Sequence, residues 1–315
     1  MTSWLITGGS GSFGKAFTRR LLADPATSKV VIFSRDELKQ AEMAAEIRDE
    51  RLRFVIGNVT DQERCERAMR GIDHVVHAAA MKRVETCEAN PHEAVQTNVI
   101  GSSVVGLAAI RAGVKRAVIL STDKAVAPNT LYGMTKACAE RLWVNYNVYA
   151  AGQVTRLSAS RYGNVLGSRG SVLNVWQKQA AAGEPLTMTD PLMTRFWMTM
   201  DDACELVFTA FREMAGGEVF IPKLHGISMA GFAETFFPAH PWTTTGLRPG
   251  EKMHEALVGE DEVRSLRDSG DYYTLEPHRT WEDIMPARGT AVPPGFTYRS
   301  DSTRMDVDAL RRLVA

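Results

Sequence analysis

The chain has 315 residues, with 37 Lys+Arg against 37 Asp+Glu and a formal net charge of zero at pH 7. That length suits one large core, or a core with a smaller lobe, since domains usually run to about 100–200 residues. With no net field and no long basic run, nucleic acid is not an expected partner. Four cysteines (Cys65, Cys87, Cys138, Cys204) stand far apart, without a Cys-x-x-Cys or histidines at zinc spacing. They predict neither a disulfide framework nor a metal site, and they fit a reducing compartment. No apolar run approaches the roughly 18 residues that span a bilayer, and no signal-peptide stretch precedes the first strand, so a cytoplasmic chain with no membrane partner is expected.

Short β-rich apolar runs predict strands at Trp4 to Ile6, Val30 to Phe33, Phe54 to Ile56, His74 to Val76, Ala117 to Leu120 and Val154 to Ala159. Helical patterns lie between them. Phe13, Phe17 and Leu21 recur at i, i+4, i+8, and Thr60-x-x-Glu63 has the form of a capping box. Strands alternating with helices imply parallel crossovers, hence an α/β, Rossmann-like doubly wound parallel sheet. From about Gly163 the alternation weakens and proline and glycine multiply, while Asp201 to Met214 still reads as a helix and Glu218 to Ile221 as a strand rejoining the sheet. The expected division is a dinucleotide-binding domain over 1–165, with 201–221 returning to its sheet, and a smaller C-terminal substrate-binding cap built from 166–200 and 222–315.

Thr7-Gly8-Gly9-Ser10-Gly11-Ser12-Phe13-Gly14 ends the first strand and opens the first helix. That is where a phosphate-binding glycine turn belongs. Absent side chains at Gly8 and Gly11 let backbone amides approach a pyrophosphate, and Gly14 lets helix and strand pack closely. Ser10, Ser12 and Phe13 complete the turn. Ser34-Arg35 end the second strand, where an NAD enzyme usually carries an acid for the ribose 2′-hydroxyl, and a guanidinium there suits a 2′-phosphate. NADP is therefore expected, with Lys39 adding charge from the next helix. Asn58 and Val59 follow the third strand towards the adenine, and Ala78, Ala79 and Ala80 form a small-residue passage after the fourth.

The fifth strand ends in Ser121-Thr122-Asp123-Lys124, at the carboxyl edge where open α/β sheets bind ligands. Tyr132-x-x-x-Lys136 follows, a spacing that places both side chains on one helical face. An ammonium beside the phenol, with the nicotinamide charge, would lower the phenol pKa from about 10. Tyr132 could then deprotonate a substrate hydroxyl that Thr122 orients.

Together with Ser-Arg-Asp-Glu-Leu-Lys-Gln (34–40), His-Ala-Ala-Ala-Met-Lys (77–82), Arg-Tyr-Gly-Asn-Val (161–165), Gly-Ser-Arg-Gly-Ser-Val (167–172), Met-Thr-Arg-Phe-Trp (193–197) and Gly-Glu-Lys-Met-His-Glu (250–255), these blocks resemble the inverting UDP-N-acetylglucosamine 4,6-dehydratases that open pseudaminic acid synthesis. The resemblance spans nearly the whole chain. It implies oxidation of the sugar at carbon 4, loss of the carbon-5 proton and the 6-hydroxyl, hydride return to carbon 6 and reprotonation of carbon 5 from the opposite face. By position Lys124 would be the base at carbon 5 and Asp123 the acid, an assignment that could also run the other way. A lysine base requires a pKa lowered from about 10.4 towards 7–8; the bland alternative is that Lys124 merely pairs with Asp123. The resemblance also carries Val165 towards the cofactor, and Lys82, Asn164, Arg169, Arg195, Arg248 and Glu251 towards a UDP-sugar, with Thr187 and Thr189 in a uridine-loop region. A homo-oligomer is implied as well. Two departures are Asn58, where an acidic residue is usual, and Glu85, where a proline-containing turn is usual. A 4-epimerase or reductase on the same fold needs Tyr132 and Lys136 but has no use for Asp123-Lys124. A non-catalytic NADP-binding scaffold would need none of these residues.

Overall fold

The computed structural model describes residues 1–168, 170–277, 289–303 and 310. Its first half alternates strictly: β1 (Thr2–Thr7), α1 (Ser12–Ala23), β2 (Thr27–Ser34), α2 (Glu37–Glu46), β3 (Leu52–Ile56), α3 (Gln62–Met69) and β4 (His74–His77). Then come two short helices, α4 (Val84–Ala89) and α5 (Pro91–Val95), and a wide helical turn (Gln96–Ile100) that runs into α6 (Gly101–Arg111). Next are β5 (Arg116–Thr122), α7 (Leu131–Asn145) and β6 (Arg156–Tyr162). The second half holds β7 (Asn164–Val165), α8 (Val172–Ala181), β8 (Leu186–Met188), β9 (Thr194–Met198), α9 (Met200–Glu213), β10 (Val219–Pro222), β11 (Gly226–Ser228), α10 (Met229–Phe236), β12 (Trp242–Thr244) and β13 (Ala256–Val258). The last strands are β14 (Leu266–Asp268), β15 (Tyr272–Leu275), β16 (Thr290–Ala291) and β17 (Tyr298–Arg299).

Ten strands form one sheet in the order β16-β14-β15-β10-β6-β5-β4-β1-β2-β3, parallel from β10 through to β3. The strand order reverses between β1 and β4, so a crevice opens at the carboxyl ends of these strands. β14 and β15, from the span expected in the cap, instead extend this sheet antiparallel beyond β10. Both faces are covered. Leu5, Val75, Ile119 and Trp143 lie in one core, and Trp4, Ile6, Phe17 and Phe211 in the other. A third, separate cluster around Trp176, Trp197 and Phe232 supports the segments over the crevice, with Trp197 stacked on Phe232 at 4.1 Å.

Local chemistry moves some boundaries. Asp61, not Thr60, caps α3 by accepting a hydrogen bond from the Arg64 amide at 3.0 Å, because an Asx cap one residue nearer the helix supersedes the Thr60 box. β6 begins at Arg156 rather than Val154, which is 66% exposed at the end of a turn. α9 starts at Met200 because Thr199 and Asp202 form a reciprocal capping box there.

Candidate active site

A cavity of about 1610 Å³ runs along the carboxyl edge of the sheet, from the glycine turn to the segments around residues 164–176 and 248–255. At its floor, Gly8 adopts φ +64°, and a Cβ there would lie 2.8 Å from the Ala79 backbone. At Gly14 a Cβ would sit 2.2 Å from the Gly9 carbonyl oxygen, so only glycine lets α1 start against the turn. Ser10, Gly11, Ser12 and Phe13 line the same end, and the Ser10 hydroxyl donates to Ser34 at 3.1 Å. This is the cradle a dinucleotide pyrophosphate needs: open backbone at a helix N-terminus, at the point where strand order reverses.

Arg35 is exposed on the cavity wall beyond β2. Lys39 also lines it, ion-paired to Asp36, whose carboxylate caps α2. Ala78, Ala79, Ala80 and Val165 lie along the path inward. Asn58 does not reach the wall, which is formed there by Gly57 and Val59; its side-chain oxygen instead accepts from the Thr60 amide at 3.2 Å and shapes the turn.

Deeper in, β5 and α7 deliver the chemical groups. Thr122 closes β5, and its hydroxyl donates to Asp123 Oδ1 at 2.9 Å. Lys124 Nζ donates to the same oxygen at 3.1 Å and lies 3.4 Å from Glu255 Oε1. Both carboxylates are buried, and Asp123 Oδ2 and Glu255 Oε2 accept no hydrogen bond among the described residues. Lys124 is 29% exposed, facing the cavity. Burial alone would lower its pKa, yet the adjacent carboxylates of Asp123 and Glu255 outweigh burial and drive it well above the usual lysine range. The lowered pKa expected from sequence is therefore not found: Lys124 rests as an ammonium bridging two anions.

Tyr132 and Lys136 sit one turn apart on α7, both buried and both on the cavity wall. Burial lowers Lys136 to about 8, partly opposed by Glu140, and its ammonium donates to the Leu120 carbonyl at 2.6 Å. Tyr132 does not have the lowered pKa that the sequence suggested. Burial pushes it up to about 12, against the opposing pull of Lys124 and a hydrogen bond with Thr122. In the protein by itself the phenol keeps its proton.

The far wall carries the remaining predicted residues. Lys82, Thr187, Asn164 and Glu251 line the cavity, and Asn164 Oδ1 is buried without a partner among the described residues. Arg195 also lines it, but its guanidinium is already held by the Thr194 and Met253 carbonyls at 2.7 and 3.2 Å, with Glu251 at 3.6 Å. Arg248 is exposed at the rim and ion-paired to Glu85 across the opening. Thr189 is not on the wall; its carbonyl accepts from the Gly246 amide at 3.1 Å. Arg169 lies outside the described residues. Sequence reasoning missed Glu255 as a member of the site. Its only signal was the sixth place in Gly-Glu-Lys-Met-His-Glu, a motif whose neighbours in space come from another part of the chain.

A family model described as "Polysaccharide biosynthesis protein" matches residues 4–277. The chain belongs to this family. Within it, the chain is 42% identical over 307 residues to "UDP-N-acetylglucosamine 4,6-dehydratase (inverting)" of Campylobacter jejuni subsp. jejuni serotype O:23/36 (strain 81-176), covering 95% of this chain and 92% of that one. It is also 40% identical over 278 residues to "UDP-glucose 4-epimerase" of Rickettsia canadensis (strain McKiel), covering 86% and 82%. Among solved structures it is similar to Pen from Bacillus thuringiensis, with a TM-score of 0.90, 35% identity, and 99% and 98% of the two chains covered. Overall identity thus places the polysaccharide biosynthesis fold beside relatives named for two reactions, and the choice between those reactions falls to the side chains of the site.

Proposed function

We propose that the chain dehydrates a UDP-amino sugar, converting UDP-N-acetylglucosamine or a close relative to its 4-keto-6-deoxy product with inversion at carbon 5, on bound NADP. The observation that carries this reading is the Asp123, Lys124 and Glu255 cluster, set in the same cavity as Thr122, Tyr132 and Lys136. A 4-epimerase has no step that uses such an acid and amine.

The glycine turn would hold the pyrophosphate, Lys136 the nicotinamide ribose, and Arg35 with Lys39 the 2′-phosphate. When bound, the dinucleotide supplies the hydride acceptor and donor, and a positive charge beside the phenol. Tyr132 takes the 4-hydroxyl proton, made competent by that charge and by Lys136, while Thr122 orients the hydroxyl. The ketone so formed acidifies the proton on carbon 5. In the resting Asp123–Lys124 pair the proton sits on the lysine, whose pKa the adjacent carboxylates raise. A shift along their 3.1 Å hydrogen bond produces a neutral amine and a carboxylic acid. A bound sugar that dries the pair favours this neutral form, since two bare charges cost more to bury than two neutral groups. Lys124 can then take the carbon-5 proton while Asp123 protonates the departing 6-hydroxyl.

The UDP moiety is assigned to Lys82, Asn164, Arg169, Thr187, Arg195, Arg248 and Glu251, with Arg248 released from Glu85 to meet the diphosphate. Incubating purified protein with UDP-N-acetylglucosamine and NADP tests the reading by product mass. A product lighter by one water supports dehydration, whereas an isomer of unchanged mass supports the epimerase that the Rickettsia relatives suggest.

A further inference from the structure

We infer that Glu255 is a positioning residue for Lys124: with Asp123 it fixes the ammonium at the cavity wall, and its negative charge sets how readily that amine gives up its proton. This rests on the acid and amine chemistry proposed for the site. Glu255 directly precedes β13, and its backbone is pinned on both sides by Ser300, whose hydroxyl accepts from the Glu255 amide at 2.9 Å and whose amide donates to the Glu255 carbonyl at 2.8 Å. The side chain is thereby driven inward, 4% exposed, with Oε1 at 3.4 Å from Lys124 Nζ.

Other cations face the same carboxylate, and their geometry shows why Lys124 is its principal partner. Arg195 Nε, from β9, is 3.9 Å away, but that guanidinium is already anchored elsewhere, Nη1 donating to the Thr194 and Met253 carbonyls and Nη2 to the Met193 sulfur. Lys252 Nζ is 4.0 Å away and donates to the Val126 carbonyl at 2.7 Å. Glu251 lies beyond Arg195. Facing Lys124 from the turn after β5 and from α7 are Asp123, which takes its hydrogen bond, and the Tyr132 phenol. Among the described residues Lys124 donates to no carbonyl, and its side chain is held by the two carboxylates. A buried anion this close shifts an amine pKa upward by about 1–3 units. Glu255 therefore acts as a brake on the base: it holds Lys124 in place and protonated until the sugar has dried the pair and the proton has moved to Asp123.

The test is the reactivity of Lys124 towards acetic anhydride at fixed pH near 9, in cofactor-loaded protein, quantified by mass spectrometry against exposed Lys178 and buried Lys136. In Glu255→Gln the fraction of free amine should rise about tenfold or more, and the limb of the dehydration pH profile that Lys124 sets should move to lower pH, with the KM for the UDP-sugar little changed. Glu255→Asp, which keeps the charge but withdraws it, should show a smaller rise in the same direction and carries the test if the glutamine variant does not fold. Unchanged Lys124 reactivity in a folded variant overturns the inference, as does an equal rise at buried Lys136, which would mark general loosening. Labelling is read without turnover. A protein that converts no UDP-sugar would refute the dehydratase reading while the labelling ratio still decides the role of Glu255.

Discussion

Replacing Lys124 by alanine leaves Asp123 and Glu255, 1% and 4% exposed, without the ammonium that lies 3.1 and 3.4 Å from them. Removing one partner of a buried ion pair costs about 3–5 kcal/mol. Lys124 retains 29% exposure to the cavity, and Arg195 and Lys252 remain at 3.9 and 4.0 Å from Glu255, so the penalty should fall to about 2–3 kcal/mol. In a chain of this size that lowers Tm by about 4–6 °C. The sign of its pH dependence is determined. An unpaired buried carboxyl has a folded pKa raised above its ordinary value near 4, so the folded state binds more protons than the unfolded one, and stability falls as pH rises through the raised value. The deficit should be full at pH 8 and shrink towards pH 5. Thermal melts of both proteins across that range provide the assay. A Tm difference that is absent, or independent of pH, would refute the charge cluster as described.

Arg35→Ala should weaken NADP binding by about 10- to 100-fold, the worth of a charged hydrogen bond to phosphate, and leave NAD binding nearly unchanged; titration calorimetry with both dinucleotides checks it. Gly14→Ala puts a methyl 2.2 Å from the Gly9 carbonyl oxygen and should abolish cofactor binding of either kind, read by the same titration. Arg161→Met strands Glu140 and Glu262, which the buried guanidinium joins at 2.6 and 2.7 Å; it should cost about 3–5 kcal/mol in denaturant unfolding without changing which product forms. Tyr132→Phe removes the proton acceptor at the 4-hydroxyl and should reduce turnover by about 10²- to 10⁴-fold in a kinetic assay, with Tm little altered.

The parts legible in the sequence are those whose geometry is local. Gly8, Gly11 and Gly14 are read from their spacing because each meets backbone only a few residues away or on the adjoining strand end, and Tyr132 with Lys136 share a helical face whatever the rest of the chain does. The strand alternation likewise announced a doubly wound sheet. What the sequence hid depends on contacts between distant segments. Glu255 meets Lys124 only after β13 packs beside the turn that follows β5, and with Asp123, the larger influence, that contact drives the Lys124 pKa up rather than down. The Thr194 and Met253 carbonyls that anchor Arg195 are likewise invisible in the sequence. β14 and β15 are too short for periodicity to mark them as strands of the main sheet.

The proposed reaction depends on an amine and a carboxylic acid acting on a transient ketone. Running the reaction in deuterated water, with proton spectra of the product, tests that most directly. One solvent deuteron at carbon 5, in the inverted configuration and with the 6-hydroxyl gone, is the predicted result. A product that keeps its original hydrogen at carbon 5, or differs from the substrate only at carbon 4, would contradict it.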